Sequence, residues 1–419
     1  MLVNQRSHAH GQGWTDVNFL IPELAATLEY HKGPYSAADG DFAAAGSVSV
    51  QYADTLPNTL VSLGIGENGY RRGLIAGSPK VADGNLLYAL ELFHNDGPFT
   101  KGDHYRKING VLRYSRGTKA AGFSVTGMAY NAIYNATDQI PQRAVDNGSL
   151  PRFSSIDPTD GGEVHRYSLS AEWHRATANT ATKISGYVID NRLRIFSNFT
   201  YFLDDPVNGD QFAQPDDRTS AALNASHSWR GSLLGHPSES TVGLQIQRDA
   251  IRNGLLNTKA RQELSETRRD RIKETSIGGY FENTTRWSDK FRTVLGVRED
   301  YYDFDVQSGL PVNSGKAHAA LFSSTRAVHL GPKRAFDQKR RLSVRLFAST
   351  PASQVASVVP QSRMRDQSVT DGPRAPNIDI RCSSPPIRSS SHDLFPHRPC
   401  RRRFGDTCCT DAGRAGAQV

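Results

Sequence analysis

The stretch 164–174, VHRYSLSAEWH, alternates residue by residue between two kinds of side chain. On one face of an extended chain lie His165, Tyr167, Leu169, Ala171 and Trp173. On the opposite face lie Arg166, Ser168, Ser170, Glu172 and His174. A period of two residues predicts a β-strand, and the more apolar face of that strand must meet a dry surface.

The same alternation recurs further along the chain, for example at 220–230 and 241–249. Such segments are separated by turns rich in Gly, Asn, Asp and Pro, and together they predict about fourteen strands before the tail. Tight hairpins are expected at 64–69 and at Asp190-Asn191, whereas 133–162 and 203–218 are predicted to be long loops. Short turns on one side of a sheet and long loops on the other are typical of an outer-membrane barrel.

The dry surface is either a second sheet, as in a soluble sandwich, or the lipid around a membrane barrel. Two features favour lipid. The predicted strands, at about 8–14 residues, are longer than the roughly 5–6 residues usual in soluble sheets. Aromatic residues recur near the predicted strand ends, as girdles at a membrane interface require; these are Tyr130, Trp173, Tyr201, Trp229, Trp287, Tyr301 and Tyr302. We therefore expect an all-β, antiparallel transmembrane β-barrel, incomplete at about 14 strands, with a soluble β-sandwich binding module as the alternative.

The last quarter of the chain differs in composition from the rest. From Arg326 onward it carries 17 Lys/Arg and 7 Asp/Glu, against 33 and 35 before that point. All 15 Tyr lie at or before Tyr302, whereas all four Cys lie in the tail. Such a composition predicts a disordered basic tail. It is either an arm for nucleic acid or acidic lipid, or the product of translation in the wrong frame; we favour the second and expect no nucleic-acid partner.

The sequence contains no recognisable pairing of a nucleophile with a base, and no phosphate-binding glycine loop. The tail holds Cys400, Cys408 and Cys409 near His392 and His397, but their spacing matches no closed zinc pattern. We therefore expect no catalytic residue, no cofactor, no metal site and no enzymatic activity. An outer-membrane barrel hydrolase, the enzyme alternative, would need a Ser/His pair in register on neighbouring strands.

The most specific stretches of the sequence lie near its N-terminus. They are GQGWTDVNFLIPEL at 11–24, LEYHKGPYS at 28–36 and GDFAAAGSVSV at 40–50. Together they resemble the C-terminal part of the plug domain of TonB-dependent outer-membrane receptors. The resemblance continues into the barrel of that family through GYRRG at 69–73, LLYALE at 86–91, VLRYS at 111–115 and RTVLGVR at 292–298.

This resemblance implies a division into a plug remnant at 1–46, a partial receptor barrel at 47–325 and a disordered, out-of-frame tail at 326–419. It also implies a cell outer membrane location, with membrane lipid around the barrel. The intact relative takes up a scarce ligand such as a ferric siderophore or another iron chelate, and the TonB complex supplies the energy. No signal peptide and no TonB-contacting segment is recognisable, so we expect this chain to be a fragment that is inactive in transport.

The resemblance and the residue chemistry together give candidate site residues. The plug motif comprises Gly33, Pro34, Tyr35, Gly40 and Gly46, in which Gly33 and Pro34 force a turn. Possible ligand contacts are His8 and His10 in a glycine-rich plug loop, and Arg113, Arg166 and Arg298 on the luminal face. The arginines would attract an anionic chelate; the alternative is that they form ion-pair ladders across the lumen. The alternative for the two histidines is a pair of solvated loop residues without a ligand.

Overall fold

The computed structural model describes residues 16–33, 35–40, 43 and 46–330, and most of them are in β-strands. A small sheet pairs β1 (Ala25–Lys32) with β2 (Gly46–Tyr52). The other strands form one antiparallel sheet of thirteen strands. They are β3 (Leu60–Ile65), β4 (Arg71–Gly77), β5 (Lys80–Val81), β6 (Gly84–Asn95), β7 (Tyr105–Gly117), β8 (Ala121–Asn135), β9 (Gly161–Ala176), β10 (Thr180–Ser197), β11 (Phe212–Leu233), β12 (His236–Lys259), β13 (Gln262–Arg286), β14 (Phe291–Ser308) and β15 (Gly315–Leu330). The short helix α1 (Gln142–Asp146) lies in the connection between β8 and β9.

The large sheet is an up-and-down meander in which neighbours in sequence are neighbours in space, apart from the two-residue β5, which pairs with β6 while β6 also pairs with β4. The prediction of about fourteen strands is therefore close to the thirteen observed. Its two outermost strands are β3 and β15, and within the described residues they do not pair with each other. Strand β15 continues to Leu330, so residues 326–330 belong to the sheet, although the boundary of the tail was expected before them.

The outer face of the sheet is apolar and uncovered by any other part of the described chain. Leu169 is 59% exposed, Val188 52%, Leu223 48% and Leu244 44%. All four lie on the apolar faces of their strands, and the polar residues that alternate with them point to the other side. Large apolar patches of this kind are rare on soluble proteins. The alternation predicted from 164–174 is therefore confirmed, and a second sheet against the apolar face is absent from the described residues.

The inner face of the sheet packs against the N-terminal segment. Phe19, Ile21 and Leu24 are at most 1% exposed, and they share one buried cluster with wall residues such as Leu87 and Val111. Burial of a Leu- or Phe-sized side chain contributes about 1.5–3 kcal/mol. The core of the protein thus lies between the inner wall and residues 16–54, which we call the plug segment. This segment includes β2, which pairs with β1 and not with the large sheet, although the barrel was expected to begin at residue 47.

The connections at one end of the sheet are short and those at the other end are mostly longer, except for the two-residue hairpin 260–261 between β12 and β13. Those joining β7 to β8, β9 to β10 and β11 to β12 span residues 118–120, 177–179 and 234–235. Those at the other end include 96–104, 136–160 and 198–211. The hairpin predicted at 64–69 is confirmed by the turn between β3 and β4.

Three local predictions are wrong. Asp190 and Asn191 are not a turn but lie within β10, because Asn191 points to the polar inner face, where an amide is well accommodated. Residues 212–218 belong to β11 rather than to a loop. Tyr130 and Tyr302 are not girdle residues, since both are buried on the inner face, whereas Trp173 and Trp229 are exposed on the outer face. Among the described residues, no helix is long and apolar enough to cross a membrane.

Candidate functional site

The plug segment is held to the inner wall at two places, of which the first lies at 16–24. Asn109 Nδ2 donates a hydrogen bond of 2.6 Å to the carbonyl of Phe19. The guanidinium of Arg166 lies 4.3 Å from the centroid of the Phe19 ring, a cation–π contact. Arg166 is 3% exposed, and its Nε and Nη2 have no hydrogen-bond partner among the described residues. We call this contact region the first anchor.

A buried ion network continues the first anchor. Arg72 bridges the plug segment and the wall, because it lies 2.6 Å from Glu23 and 2.7 Å from Glu91. Glu91, which is 1% exposed, also pairs with Lys107 at 2.9 Å. Charges removed from water in this way are stable only when they are paired. Asp16 lies in the same region, and its burial raises the pKa of its carboxyl above the ordinary value.

The second anchor lies at 36–38, where three wall side chains bind the backbone of the plug segment. Glu282 accepts a hydrogen bond of 2.9 Å from the amide of Ala37. Arg298 Nη1 donates to the carbonyl of Ala37 at 3.1 Å, and Gln245 Nε2 donates to the carbonyl of Ala38 at 2.9 Å. Arg298 is itself fixed by two bonds of 2.6 Å to Asp300. Backbone contacts of this kind hold the chain in place whatever its side chains are.

The three arginines predicted as ligand contacts all lie on the inner face, but they are not gathered in one place. Arg113 binds Asp54 through Nη2 at 2.7 Å, at the end of the plug segment. Arg166 contacts Phe19, and Arg298 contacts Ala37. Each arginine therefore contacts a different part of the same segment, and its predicted contact with a ligand stays a prediction.

The plug motif surrounds the connection between β1 and β2. Gly33 has φ +75° and Gly40 has φ +80°, conformations that L side chains rarely adopt, so the turn depends on glycine. A Cβ atom at Gly40 would also lie 3.3 Å from Arg298 Nη2. Tyr35 is 59% exposed, and Gly46 opens β2 opposite Lys32. Pro34, His8 and His10 lie outside the described residues.

A second candidate region joins the long connections at one end of the sheet. We call it the loop hub, and it consists of Asp157, Thr159, Asp160, Asn198, Gln211 and Arg261. Gln211 Nε2 donates to Thr159 Oγ1 at 2.7 Å and to Asp160 Oδ1 at 3.1 Å. Asn198 Nδ2 donates to Asp157 Oδ2 at 3.0 Å. Amide side chains thus connect two loops that are far apart in sequence.

Arg261 closes the loop hub from the hairpin between β12 and β13. Its Nε donates to the carbonyl of Thr159 at 2.6 Å, and its Nη2 donates to the carbonyl of Asp160 at 2.9 Å. The two residues of this hairpin, Ala260 and Arg261, have φ +51° and +68° although neither is glycine. Backbone conformations of this kind persist where surrounding contacts enforce them. The hydrogen bonds of Arg261 supply that enforcement here.

The loop hub contains a carboxyl group whose protonation is unusual. Burial, with the neighbouring charge of Asp157, raises the pKa of Asp160 to about 8, from an ordinary value of 3.8. A group whose folded pKa is raised stabilises the fold at low pH, and this contribution is lost as pH rises through the folded value. The loop hub is therefore expected to loosen as pH rises from about 4 towards about 8, and to change little above that.

Amide hydrogen exchange in 198–211 tests this expectation. Beyond the intrinsic effect of base, exchange should accelerate by up to about a hundredfold between about pH 6 and pH 8 in the parent chain, and level off above that. The Asp160→Asn variant cannot ionise, so it should lack this excess. Asp146→Asn, in the exposed helix α1, is the matched control and should behave as the parent does. Equal pH dependence in Asp160→Asn and the parent would contradict the assignment.

Sequence reasoning missed most of the residues that build these regions. Glu91 carried a usable signal, since it is a charge between Leu90 and Leu92 in an alternating strand and so had to face inward. Gln211 and Arg261 carried no such signal, because polar residues are common in and beside loops and do not by themselves indicate a site. Glu282 contacts a backbone amide 245 residues away in sequence, which no local pattern encodes.

Comparison with known proteins identifies the sheet. The sequence profile of the family described as "TonB dependent receptor-like, beta-barrel" matches residues 92–331, more than half of the chain. None of the curated proteins matches the chain.

Several solved structures share the fold. The structure titled "Copper transporter OprC" has a TM-score of 0.57 at 15% identity, over 77% of this chain and 50% of that one. The ferric citrate transporter FecA in its unliganded form has a TM-score of 0.56 at 10% identity, over 69% and 44%. The siderophore receptor PiuA from Acinetobacter baumannii has a TM-score of 0.57 at 11% identity, over 73% and 51%. The chain thus spans about half the length of the receptors that it matches, and all three are named as transporters or receptors rather than enzymes.

Proposed function

The chain belongs to the TonB-dependent receptor family, and on that premise we propose that it is part of an outer-membrane receptor for energy-coupled uptake of a scarce ligand. The single observation that carries this proposal is the plug segment bound to the polar inner face of a sheet whose outer face is apolar and exposed. A transporter of this family needs an obstruction inside a barrel, and that obstruction must be removable. The second anchor consists of hydrogen bonds, whereas the first combines hydrogen bonds and ion pairs with a buried apolar cluster.

The ligand class that we propose is a metal chelate such as a ferric siderophore. The names of the similar structures support it, since they mention copper, ferric citrate and siderophores. We propose that Arg113, Arg166 and Arg298 serve the plug segment first. Arg113 and Arg166 gain a free cationic surface for an anionic chelate only when that segment moves away, whereas Arg298 gains only its Nη1 donor and stays paired with Asp300. This assigns the predicted ligand contacts to a later step of uptake.

Two further partners belong to the proposal. Outer-membrane lipid covers the apolar outer face, and the exposed cations Arg192, Arg252, Arg271 and Lys273 on that face lie towards the long connections, at the level of lipid headgroups. The TonB complex supplies energy to the intact receptor. The charge pattern gives no support to a nucleic-acid partner, because acidic and basic residues nearly balance before the tail, with 33 Lys/Arg and 35 Asp/Glu in residues 1–325.

We also propose that this chain does not transport by itself. The described sheet ends in two strands, β3 and β15, whose outward backbone groups are not paired with each other. Unpaired edges are costly in lipid, where only closed barrels satisfy every backbone group. A receptor therefore needs wall beyond the described strands to close around the plug segment.

Two measurements on one expression strain test these proposals. The chain is exported to the periplasm behind a bacterial signal peptide, and the cell extract is then separated into detergent and aqueous phases. We expect the chain in the detergent phase, whereas a soluble β-sandwich module would stay in the aqueous phase. The same strain, lacking its own receptors, should show no uptake of a radiolabelled ferric chelate above background. Uptake that a protonophore abolishes would overturn the proposed inactivity while supporting the receptor assignment.

A further inference from the structure

A cluster of metal-ligating side chains lies outside both candidate regions, at the end of β6 and in the connection 96–104. His94 Nε2 lies 3.1 Å from Asp96 Oδ1, and His104 Nδ1 lies 2.5 Å from the same oxygen. The three ligand atoms all lie within 4.8 Å of one another. Two imidazole nitrogens and a carboxylate oxygen at this spacing are a set that a single ion can bridge.

The backbone around the cluster is fixed by several constraints. The amide of Asp96 donates to the carbonyl of Asn68 at 2.7 Å, which ties the connection to the turn between β3 and β4. Gly69 has φ +67°, and a Cβ atom there would collide with Asp96 Oδ2. His104 has φ +45°, a conformation that is uncommon for a residue with a side chain. Non-glycine residues held in this region concentrate at functional sites.

A fourth group supports a ligand at this place. Asp103 is 2% exposed, and its Oδ2 has no hydrogen-bond partner among the described residues. Its amide donates to the carbonyl of Asp96 at 2.7 Å, so the two acidic residues are held next to each other. A buried carboxylate oxygen without a partner is costly, and a cation nearby offsets that cost.

We propose that His94, Asp96 and His104 form a binding site for one divalent transition-metal ion, which we call the rim site. Two imidazoles and a carboxylate favour borderline ions such as Zn²⁺, Cu²⁺ or Ni²⁺ over Ca²⁺ or Mg²⁺, which prefer oxygen ligands alone. Three protein ligands leave a coordination position for water. The bound ion links the end of β6 to the 96–104 connection. The sequence analysis predicted no metal site, and it did not single out these three residues.

Neighbouring charges limit the affinity of the rim site. Arg71 and Arg106 are the register partners of His94 on β4 and β7, and both are exposed. Two cations beside the site repel a divalent ion, whereas Asp96 and Asp103 attract it. The alternative to a metal site is a plain cluster of histidine–carboxylate hydrogen bonds, which would bind no ion.

Titration of the full chain with Zn²⁺ distinguishes these cases. The chain is refolded in detergent with its four tail cysteines changed to serine, so that thiolates do not compete. We expect the double variant His94→Asn/His104→Asn to bind one ion per chain fewer than the parent. Asp96→Asn preserves the shape of the loop and should weaken the binding of this ion by more than about tenfold, because it removes a direct ligand and not only an outer partner of one.

The control variant is His174→Asn/His227→Asn, which removes two histidines outside the cluster and should keep the stoichiometry of the parent. Far-UV circular dichroism verifies that each variant retains its strands. With Cu²⁺ as the probe, electron paramagnetic resonance should show nitrogen couplings in the parent that the His94/His104 variant lacks. The same stoichiometry, affinity and spectrum in the parent and this double variant would overturn the rim site.

Discussion

The Arg298→Ala variant should lose about 3–5 kcal/mol of unfolding free energy, because it leaves a buried charge without its partner. Asp300 is 2% exposed, and both of its bonds of 2.6 Å come from Arg298. The same substitution removes a donor from the carbonyl of Ala37, so the second anchor weakens as well. Urea unfolding of the full chain in detergent, followed by tryptophan emission, measures the loss.

Two further variants separate this effect from a general loss of charge. Arg298→Met combined with Asp300→Asn removes both charges and should be less destabilised than Arg298→Ala. Arg230→Ala removes one partner of an exposed pair, 2.9 Å from Glu239, and should cost about 0–1 kcal/mol. If Arg298→Ala costs no more than Arg230→Ala, the second anchor does not hold the plug segment.

Replacing Phe19 with alanine should destabilise the chain by about 3–5 kcal/mol, the usual range for a large side chain removed from a core. Phe19 is 1% exposed. The guanidinium of Arg166 lies 4.3 Å from the centroid of the Phe19 ring, and the centroid of the Tyr130 ring lies 6.5 Å from it. Its loss opens a cavity at the junction of plug segment and wall, and it leaves Arg166 without its aromatic contact.

The matched control is Val17→Ala, two residues earlier in the same segment and 56% exposed. Its cost should stay within about 0.5 kcal/mol, as for most surface changes. Trypsin digestion gives an independent reading, since a released plug segment should be cut faster in Phe19→Ala than in Val17→Ala. Equal stability and equal digestion of the two variants would contradict the first anchor.

The part of the fold that follows from sequence is the part encoded by local periodicity. The segment 164–174 places Leu169 outward and Arg166 inward because side chains alternate along any strand. The wrong prediction of a turn at Asp190 and Asn191 also came from local sequence. An Asp-Asn pair favours turns in soluble proteins, but on the inner wall of this sheet polar side chains occur within strands.

The candidate site was less accessible to sequence reasoning than the fold. The plug turn was predictable at Gly33, whose positive φ is a backbone conformation that favours glycine. The anchors were not, since Glu282 and Arg298 contact Ala37 from strands more than two hundred residues away in sequence. The predicted arginines were correctly placed on the inner face, but their contacts with the plug segment depend on tertiary packing.

The central claim is that the apolar outer face of this wall meets acyl chains while its inner face meets water and the plug segment. Spin labels placed one at a time at 168, 169, 170 and 171, in a cysteine-free chain in detergent micelles, test it most directly. We predict that labels at 169 and 171 collide with dissolved oxygen, whereas those at 168 and 170 are shielded from it. Labels at 169 and 171 that are shielded from oxygen, or open to a water-soluble nickel reagent, would contradict the account.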